Sequence, residues 1–297
     1  MGEPGRYDQV IIVNQTPGVI VTGGSKGIGF ETCRHFAGQG YRVSLCGRDL
    51  TQVDASVELL RSEFSSSVFG LSADISDDGQ VREFAQKSEE FHGPISNLIC
   101  NAAVLGPVGR IENIDLRYFS RTYAVNVFST VALIQSFWNQ LNYGNNGRIV
   151  CISGGGLGGA SPLLRTPAYV SSKAAVVELI ETLHVELSEL GMTINAVAPG
   201  SIPTNFMNEA LTAGPDIAGE VLFKDAQSRD GTIPPNALNN YFELLDFLLS
   251  KESSLVTGRL LSARWDPPQK VLEKFRSDDS SNIYRLRRID DDLFSES

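Results

Sequence analysis

A glycine-rich turn decides the fold of this chain, and it reads Thr22-Gly23-Gly24-Ser25-Lys26-Gly27-Ile28-Gly29. It follows the apolar run Val19 to Val21, which predicts a β-strand, and it precedes a helical pattern that continues through Phe36. Glycines at such a point let the backbone turn sharply and approach a pyrophosphate, and the last one lets the helix pack against the strand. A diphosphate would then lie over amide groups at the positive end of the helix. The turn therefore predicts dinucleotide binding.

The alternation of apolar runs with helical patterns continues along the chain. Further strands are predicted over residues 41–46, 68–73, 95–100, 148–153, 193–197 and 259–263. Helices are predicted over residues 50–64, 77–91, 116–141, 168–190 and 239–249. Strands that are apolar throughout, with amphipathic helices between them, indicate a parallel sheet covered on both faces. The predicted fold class is α/β: a single doubly wound, Rossmann-like domain with a sheet of about seven strands.

Three segments fall outside this pattern. Residues 1–15 are predicted to be an N-terminal extension that could hold a stray strand at 10–13. The main domain is predicted over residues 16–265, and within it residues 201–236 form a long substrate loop with at most one short helix. That loop offers apolar and cationic side chains alike, such as Phe206, Phe223, Lys224 and Arg229. Residues 266–297 are a C-terminal extension whose mixed charges allow a solvated tail or packing over the site or a neighbouring subunit.

Composition and charge exclude several classes of protein. The 297 residues carry 25 Lys and Arg against 35 Asp and Glu, a net charge of −10, so nucleic acid and anionic lipid are not expected partners. No apolar run approaches the length of a membrane helix, and the N-terminus has no signal-peptide pattern. The four cysteines are far apart and the three histidines form no metal-binding motif, which favours free buried thiols in a cytoplasmic protein without a metal.

Four residues suggest proton-transfer chemistry. Tyr169 and Lys173 stand four positions apart at the start of a predicted helix and so share one face. An ammonium beside the phenol, together with the positive ring of an oxidised nicotinamide, is expected to lower the phenol pKa from about 10, so that Tyr169 exchanges protons with a carbonyl or alcohol oxygen. Ser153 ends a predicted strand and could hold that oxygen, although it could also simply open the glycine-rich run after it. Asn126 is a poor residue for a helix interior, which indicates a local role unless it is merely exposed.

The choice between NADP and NAD depends on the end of the second strand. Arg48 occupies the place where an acidic residue would bind the ribose of NAD, and it can pair with a phosphate, with Lys26 as a second positive charge. Both could instead be ordinary surface cations, and Asp49 beside Arg48 keeps NAD open. We therefore favour NADP(H) over NAD(H).

In their order along the chain, these motifs resemble those of the short-chain dehydrogenase/reductase family, in its standard-length branch, over about residues 16–262. The resemblance implies that Asn126, Ser153, Tyr169 and Lys173 are catalytic, with Asn126 kinking its helix and holding a water that links Lys173 to solvent. It implies that Asp74 contacts adenine, although Asp74 could instead cap a helix. The implied cofactor-binding residues are Thr22, Gly23, Ser25, Lys26, Gly27, Ile28, Gly29, Arg48, Asp74, Ile75, Asn101, Ala102, Ala103, Tyr169, Lys173, Pro199, Gly200, Ile202 and Thr204.

Two features depart from the family pattern. The gap of 16 positions between Ser153 and Tyr169 is a few residues longer than in the family, and a glycine-rich insert at 154–159 could loop out to accommodate it. The last predicted strand runs into Arg264 and Trp265 in place of the family's VDGG-like turn, so the resemblance says little about the substrate or the subunit contact there.

The expected function is an NADP(H)-dependent oxidoreductase that transfers hydride reversibly between the nicotinamide and a carbonyl or secondary alcohol, with Tyr169 as general acid and base. One alternative is a non-catalytic NADP-binding sensor or scaffold. Another, with the same chemistry, is a reductase of keto-sugars or of a polysaccharide pathway. The expected partners are a small-molecule substrate and further copies of the chain in a homodimer or homotetramer, with no nucleic acid and no membrane.

Overall fold

The computed structural model describes residues 16–154, 157, 163–229, 231–277 and 283–286. Within these residues the chain forms a seven-stranded parallel sheet in the order β3-β2-β1-β4-β5-β6-β7. The strands are β1 (Gly18–Thr22), β2 (Arg42–Gly47), β3 (Val68–Ser72), β4 (Asn97–Cys100), β5 (Arg148–Ile152), β6 (Thr193–Ala198) and β7 (Arg259–Ser262). The predicted α/β fold class is confirmed.

Helices cover both faces of the sheet. They are α1 (Gly27–Gly38), α2 (Leu50–Glu63), α3 (Asp78–His92), α4 (Leu116–Tyr123), α5 (Ser129–Ser136), α6 (Trp138–Leu141), α7 (Pro167–Glu189), α8 (Asn208–Ala218), α9 (Glu220–Gln227), α10 (Asn239–Leu248) and α11 (Pro268–Arg276). Successive residues of β1 point to opposite faces, so Val19 and Val21 enter one apolar core and Ile20 enters the other. The chain direction reverses between β1 and β4, which opens a crevice at their carboxyl ends where such sheets bind ligands.

The prediction of one continuous helix over 116–141 was wrong. The structure breaks it into α4, a π-helical turn (Ala124–Phe128), α5 and α6. Asn126 lies in the π-helical turn, and its side-chain amide is hydrogen-bonded to the backbone of Val104. The periodicity of the sequence could not show this interruption, because the partner of Asn126 lies in a different segment.

The prediction of a mostly irregular loop over 201–236 was also wrong. A 3₁₀ turn (Asn205–Met207), α8 and α9 fill its first half. Gly214 has a φ of 77° and precedes Pro215, and Gly219 has a φ of 78°, so these residues redirect the chain between helical segments and do not end helical structure. We refer to residues 205–227 as the α8–α9 segment.

Part of the predicted C-terminal extension packs on the domain. Val271 of α11 is fully buried in the same core as α1 and α10. The backbone N–H of Leu260 in β7 donates to the carbonyl of Tyr284 at 2.7 Å, so the residues around Tyr284 lie along the outer side of β7. Trp265, in contrast, is exposed, with the Arg264 guanidinium 4.5 Å from its ring centroid.

Several sequence-based expectations fall partly or wholly outside the described residues. These are the strand at 10–13, most of the glycine-rich insert at 154–159, and the charged residues at 278–279 and 287–292. The four cysteines are free and buried, as expected. No helix in the described part of the chain combines the length and the apolar character that crossing a membrane requires.

Candidate active site

The glycine-rich turn is held against the end of β4 by Thr22 and Asn101. Thr22 Oγ1 accepts hydrogen bonds from the backbone N–H groups of Asn101 and Ala102, both at 3.1 Å. Asn101 Nδ2 donates to the carbonyl of Thr22 at 2.9 Å. The structure thus joins two segments that the sequence assigned separately to cofactor binding, and it fixes the turn at the crevice between β1 and β4.

The glycines of this turn leave bare backbone where a ligand can approach. Gly23 has a φ of 65°, a conformation that favours glycine. A Cβ on Gly29 would collide with the carbonyl of Gly23, so α1 begins in direct contact with the turn. Gly27 has a φ of 55° and faces the methyl group of Thr204 across the crevice. The diphosphate of a dinucleotide fits a turn of this kind, because amide groups at the start of a helix favour negative charge.

Lys26 and Arg48 are both exposed near the same turn. Lys26 and Gln52 line one side of a cleft of about 620 Å³, and Glu209 of α8 lines the other. Burial raises the pKa of the Glu209 carboxyl, and the positive charges of Lys26 and Arg48 oppose part of that rise. Glu209 therefore lies near both cations. The sequence analysis missed it, because it assigned this part of the chain to a loop with no defined position.

The two acidic residues that left alternatives open have defined partners. Asp49 caps α2, because its side chain accepts a hydrogen bond from the backbone N–H of Gln52 at 3.0 Å. Asp77 caps α3, so Asp74 does not. Asp74 instead forms an ion pair with Arg121 and accepts hydrogen bonds from Ser76. Burial alone would raise the pKa of Asp74, but these hydrogen bonds outweigh it and lower the pKa below its usual range.

Tyr169 and Lys173 lie in the first two turns of α7, and both side chains are buried. Lys173 Nζ is 6.0 Å from the centroid of the Tyr169 ring and donates to the carbonyl of Ile152 at 2.6 Å. Burial raises the pKa of Tyr169 to about 12 and lowers the pKa of Lys173 to about 8. The expectation that Lys173 lowers the phenol pKa is not met in this structure, because removal from water outweighs the attraction between the two groups.

The Tyr169 hydroxyl lies against the backbone next to Ser153. A Cβ on Gly154 would be 2.8 Å from Cζ of the Tyr169 ring and closer still to its hydroxyl oxygen. Ser153 follows β5 directly and is 3% exposed, and its Oγ has no hydrogen-bond partner among the described residues. A buried hydroxyl without a partner is costly, which is consistent with a ligand oxygen as its partner. No sequence pattern singled out Gly154, whose contact with Tyr169 depends on the tertiary fold.

Asn126 connects the segment after β4 to the helix that carries Tyr169. Its Oδ1 accepts from the N–H of Val104 at 2.9 Å, and its Nδ2 donates to the carbonyl of Val104 at 3.0 Å and to Ser172 Oγ at 2.9 Å. Ser172 Oγ in turn donates to the carbonyl of Tyr169 at 2.7 Å. Ser172 is a further site residue that the sequence analysis did not find, because a serine in a helix carries no distinguishing pattern.

The turn after β6 is held by Arg229, which the sequence analysis considered only as a substrate contact. Arg229 donates to the carbonyl of Ile202 and to Ser201 Oγ, both at 3.0 Å. It also forms an ion pair with Asp225 at 2.9 Å. Arg229 thus fixes the position of the segment Pro199 to Thr204 relative to α9, and its charge is neutralised by Asp225.

The predicted site residues therefore gather at the carboxyl ends of β1, β4, β5 and β6. The phosphate turn and the segments after β4 and β6 meet there, and Tyr169, Lys173 and Ser153 lie together beside them. Among the described residues no group of three His, Cys, Asp or Glu side chains could hold a metal ion. The arrangement defines a nicotinamide-dependent oxidoreductase that acts on alcohol and carbonyl groups.

Comparison with known proteins identifies the family. The model of the family described as short chain dehydrogenase matches residues 18–214. The chain is 33% identical over 192 residues to "Short-chain dehydrogenase reductase 5" of Arabidopsis thaliana, covering 63% of this chain and 70% of that protein. It is 30% identical over 249 residues to "Glucose 1-dehydrogenase" of Gluconobacter oxydans, covering 82% and 88%. The chain belongs to the short-chain dehydrogenase/reductase family.

Solved structures agree with this assignment at the level of the fold. A variant of actinorhodin polyketide ketoreductase with NADPH has a TM-score of 0.71 at 21% identity, covering 83% of this chain and 95% of that one. NAD⁺-bound xylitol dehydrogenase also has a TM-score of 0.71 at 21% identity, covering 84% and 97%. Similar folds thus occur with either cofactor, and this likeness alone does not distinguish NADP from NAD.

Proposed function

We propose that this protein is an NADPH-dependent carbonyl reductase in which Tyr169 is the proton donor and Ser153 orients the substrate oxygen. The observation that carries the proposal is the position of the Tyr169 hydroxyl against Gly154, directly beside the partnerless Oγ of Ser153. One oxygen atom of a substrate can accept hydrogen bonds from both hydroxyl groups. That arrangement polarises a carbonyl group and prepares it for proton transfer.

The bound nicotinamide supplies the hydride for carbonyl reduction and accepts it in the reverse reaction. Because the pKa of Tyr169 is about 12, its hydroxyl keeps a proton at neutral pH and gives it to the substrate oxygen as negative charge develops there. The new O–H bond completes the alcohol and leaves a phenolate on Tyr169. The ammonium of Lys173, 6.0 Å from the ring centroid, stabilises this phenolate.

Asn126 and Ser172 are positioning residues in this proposal. Their hydrogen bonds fix the start of α7 relative to the segment after β4, and so fix Tyr169 relative to the cofactor site. The cofactor would be held by the residues of the phosphate turn, by the segments Asn101 to Ala103 and Pro199 to Thr204, by Asp74 with Ile75, and by Lys173.

The preference for NADP(H) is supported by the charges near the phosphate turn. Lys26 and Arg48 are exposed there, and neither forms a printed ion pair with Glu209, so both remain available to a 2′-phosphate. Asp49, the residue that could favour NAD, is engaged as the N-cap of α2. A charge-assisted hydrogen bond contributes about 1.5–3 kcal/mol, so loss of Arg48 should weaken NADPH binding by roughly tenfold or more.

Titration of cofactor fluorescence tests this preference. Arg48→Ala should raise the Kd for NADPH and leave the Kd for NADH almost unchanged, and Lys87→Ala, in an exposed Lys87–Glu83 pair on α3, is the control. An equal loss of affinity for both cofactors would contradict the NADP assignment. Tight cofactor binding without turnover of any carbonyl compound would instead favour the sensor or scaffold alternative.

A further inference from the structure

The side chains that surround Tyr169 are apolar. Tyr169 belongs to a buried cluster, here called the Tyr169 cluster, that also contains Leu105, Met207, Ala210, Ala218, Leu222 and Ala226. The ring of Phe206 packs against this cluster with its centroid 5.3 Å from that of Tyr169. A molecule that brings a carbonyl oxygen to the Tyr169 hydroxyl therefore meets hydrocarbon and aromatic surface around that oxygen.

The charged side chains of the α8–α9 segment lie elsewhere. Lys224 and Glu220 form an exposed ion pair at 2.8 Å. Asp225 is paired with Arg229, and Asp216 is exposed. Glu209 lies near Lys26 and Arg48, on the side of the phosphate turn. The charges that the sequence offered as substrate contacts are thus engaged with one another or with solvent, and Lys173 is bound to a backbone carbonyl.

The cleft beside the phosphate turn leads toward the same apolar surface. One part of its lining is polar and includes Lys26, Gln52 and Glu209, while another consists of Pro107, Val108 and Ala213. Val108 and Ala213 also pack against the Tyr169 cluster. The polar part of the cleft suits the phosphate-bearing end of a dinucleotide, and the apolar part is the surface that remains for a substrate.

From this distribution we infer that the substrates are uncharged ketones whose carbonyl group is attached to an apolar ring, aromatic or alicyclic, and not keto-sugars or keto acids. This inference rests on the proposed function of Tyr169. Hydroxyl and carboxylate groups beside the carbonyl would lose their water partners on entering the apolar surface, and no compensating polar side chain of the α8–α9 segment faces them. An apolar pocket rejects an added hydroxyl by about 100-fold and an added charge by more.

Steady-state reduction of three matched carbonyl compounds tests the inference. Cyclohexanone should have a kcat/KM at least about 100-fold above those of the same ring bearing a carboxylate and of fructose. Phe206→Ser should lower kcat/KM for cyclohexanone by about tenfold without changing the Kd of the cofactor, and Phe206→Leu should restore most of the loss. Phe91→Ser, at an exposed phenylalanine on α3, is the control.

The outcomes separate this inference from the proposed function. Reduction of fructose or of the carboxylated ring as efficiently as cyclohexanone would overturn the substrate class, while Tyr169→Phe would still abolish that turnover if the proposed function is correct. An effect of Phe206→Ser no larger than that of Phe91→Ser would also overturn the inference. Absence of turnover with all three compounds would overturn both.

Discussion

The contact between Tyr169 and Gly154 makes a single methyl group a test of the site. Gly154→Ala adds a Cβ that would lie 2.8 Å from Cζ of Tyr169 and closer still to its hydroxyl oxygen. Gly154 does not have a positive φ, so alanine does not strain the backbone there. Because unstrained carbon atoms are separated by about 3.5 Å, the ring must move by about 0.7 Å at Cζ and further at the hydroxyl oxygen.

This displacement should reduce catalysis far more than it reduces stability. A misplacement of about 1 Å costs roughly 100-fold in rate, so kcat for ketone reduction should fall by about that factor. Overpacking typically costs about 1–3 kcal/mol, which corresponds to a loss of a few degrees in Tm. Cofactor affinity should change little, because the added methyl group contacts Tyr169 and not the phosphate turn.

The assay compares kcat at saturating substrate and cofactor with Tm from calorimetry. Gly79→Ala on α3 is the control, since a Cβ there would contact only the flexible side chain of Asp77. In a Tyr169→Phe background, Gly154→Ala should destabilise the fold less than in the wild type, because the hydroxyl oxygen that it strikes is absent. A Gly154→Ala enzyme with wild-type kcat would refute the placement of the Tyr169 hydroxyl.

Three further predictions follow from other parts of the site. Because the pKa of Lys173 is about 8, its charge is present below that pH and lost above it, so kcat/KM for reduced cofactor should fall as pH rises through about 8. Lys173→Arg should move this alkaline limb to higher pH, and an unmoved limb would exclude Lys173 as its source. Arg229→Gln should raise the Kd of the cofactor several-fold by freeing the turn after β6, whereas Lys224→Gln, in an exposed pair, should not. Val271→Ala should lower the free energy of unfolding by about 2 kcal/mol if α11 is part of the core, and Lys270→Ala by much less, as urea unfolding would measure.

The sequence was sufficient for the features that depend on local patterns. The strand before the phosphate turn, the turn itself and the helix after it follow from apolar periodicity and glycine spacing, and the structure has all three in the predicted order. The four-residue spacing of Tyr169 and Lys173 fixed their common helix face in the same way. Asp77 as a helix cap was also readable, because capping involves neighbouring residues only.

The remaining features depend on partners that are distant in sequence. The π-helical turn at Asn126 is held by Val104, and the contact of Gly154 with Tyr169 arises only when α7 packs beside β5. The raised pKa of Tyr169 likewise depends on burial among side chains from several segments, including the α8–α9 segment. That segment was mistaken for a loop because Gly214 and Gly219 were taken as helix breakers, whereas they turn the chain between helices.

The most direct test of the central claim follows the hydride and depends on the Tyr169 proton. Cyclohexanone is reduced with NADPH that carries deuterium at both positions of the hydride-donating carbon, and the alcohol is analysed by mass spectrometry. The wild type should place one deuterium on the carbinol carbon, and Tyr169→Phe should lose this product almost completely while still binding NADPH. Tyr123→Phe, on α4, is the matched control and should retain the activity. Deuterated alcohol formed by Tyr169→Phe at the wild-type rate would contradict the assignment of Tyr169 as the proton donor.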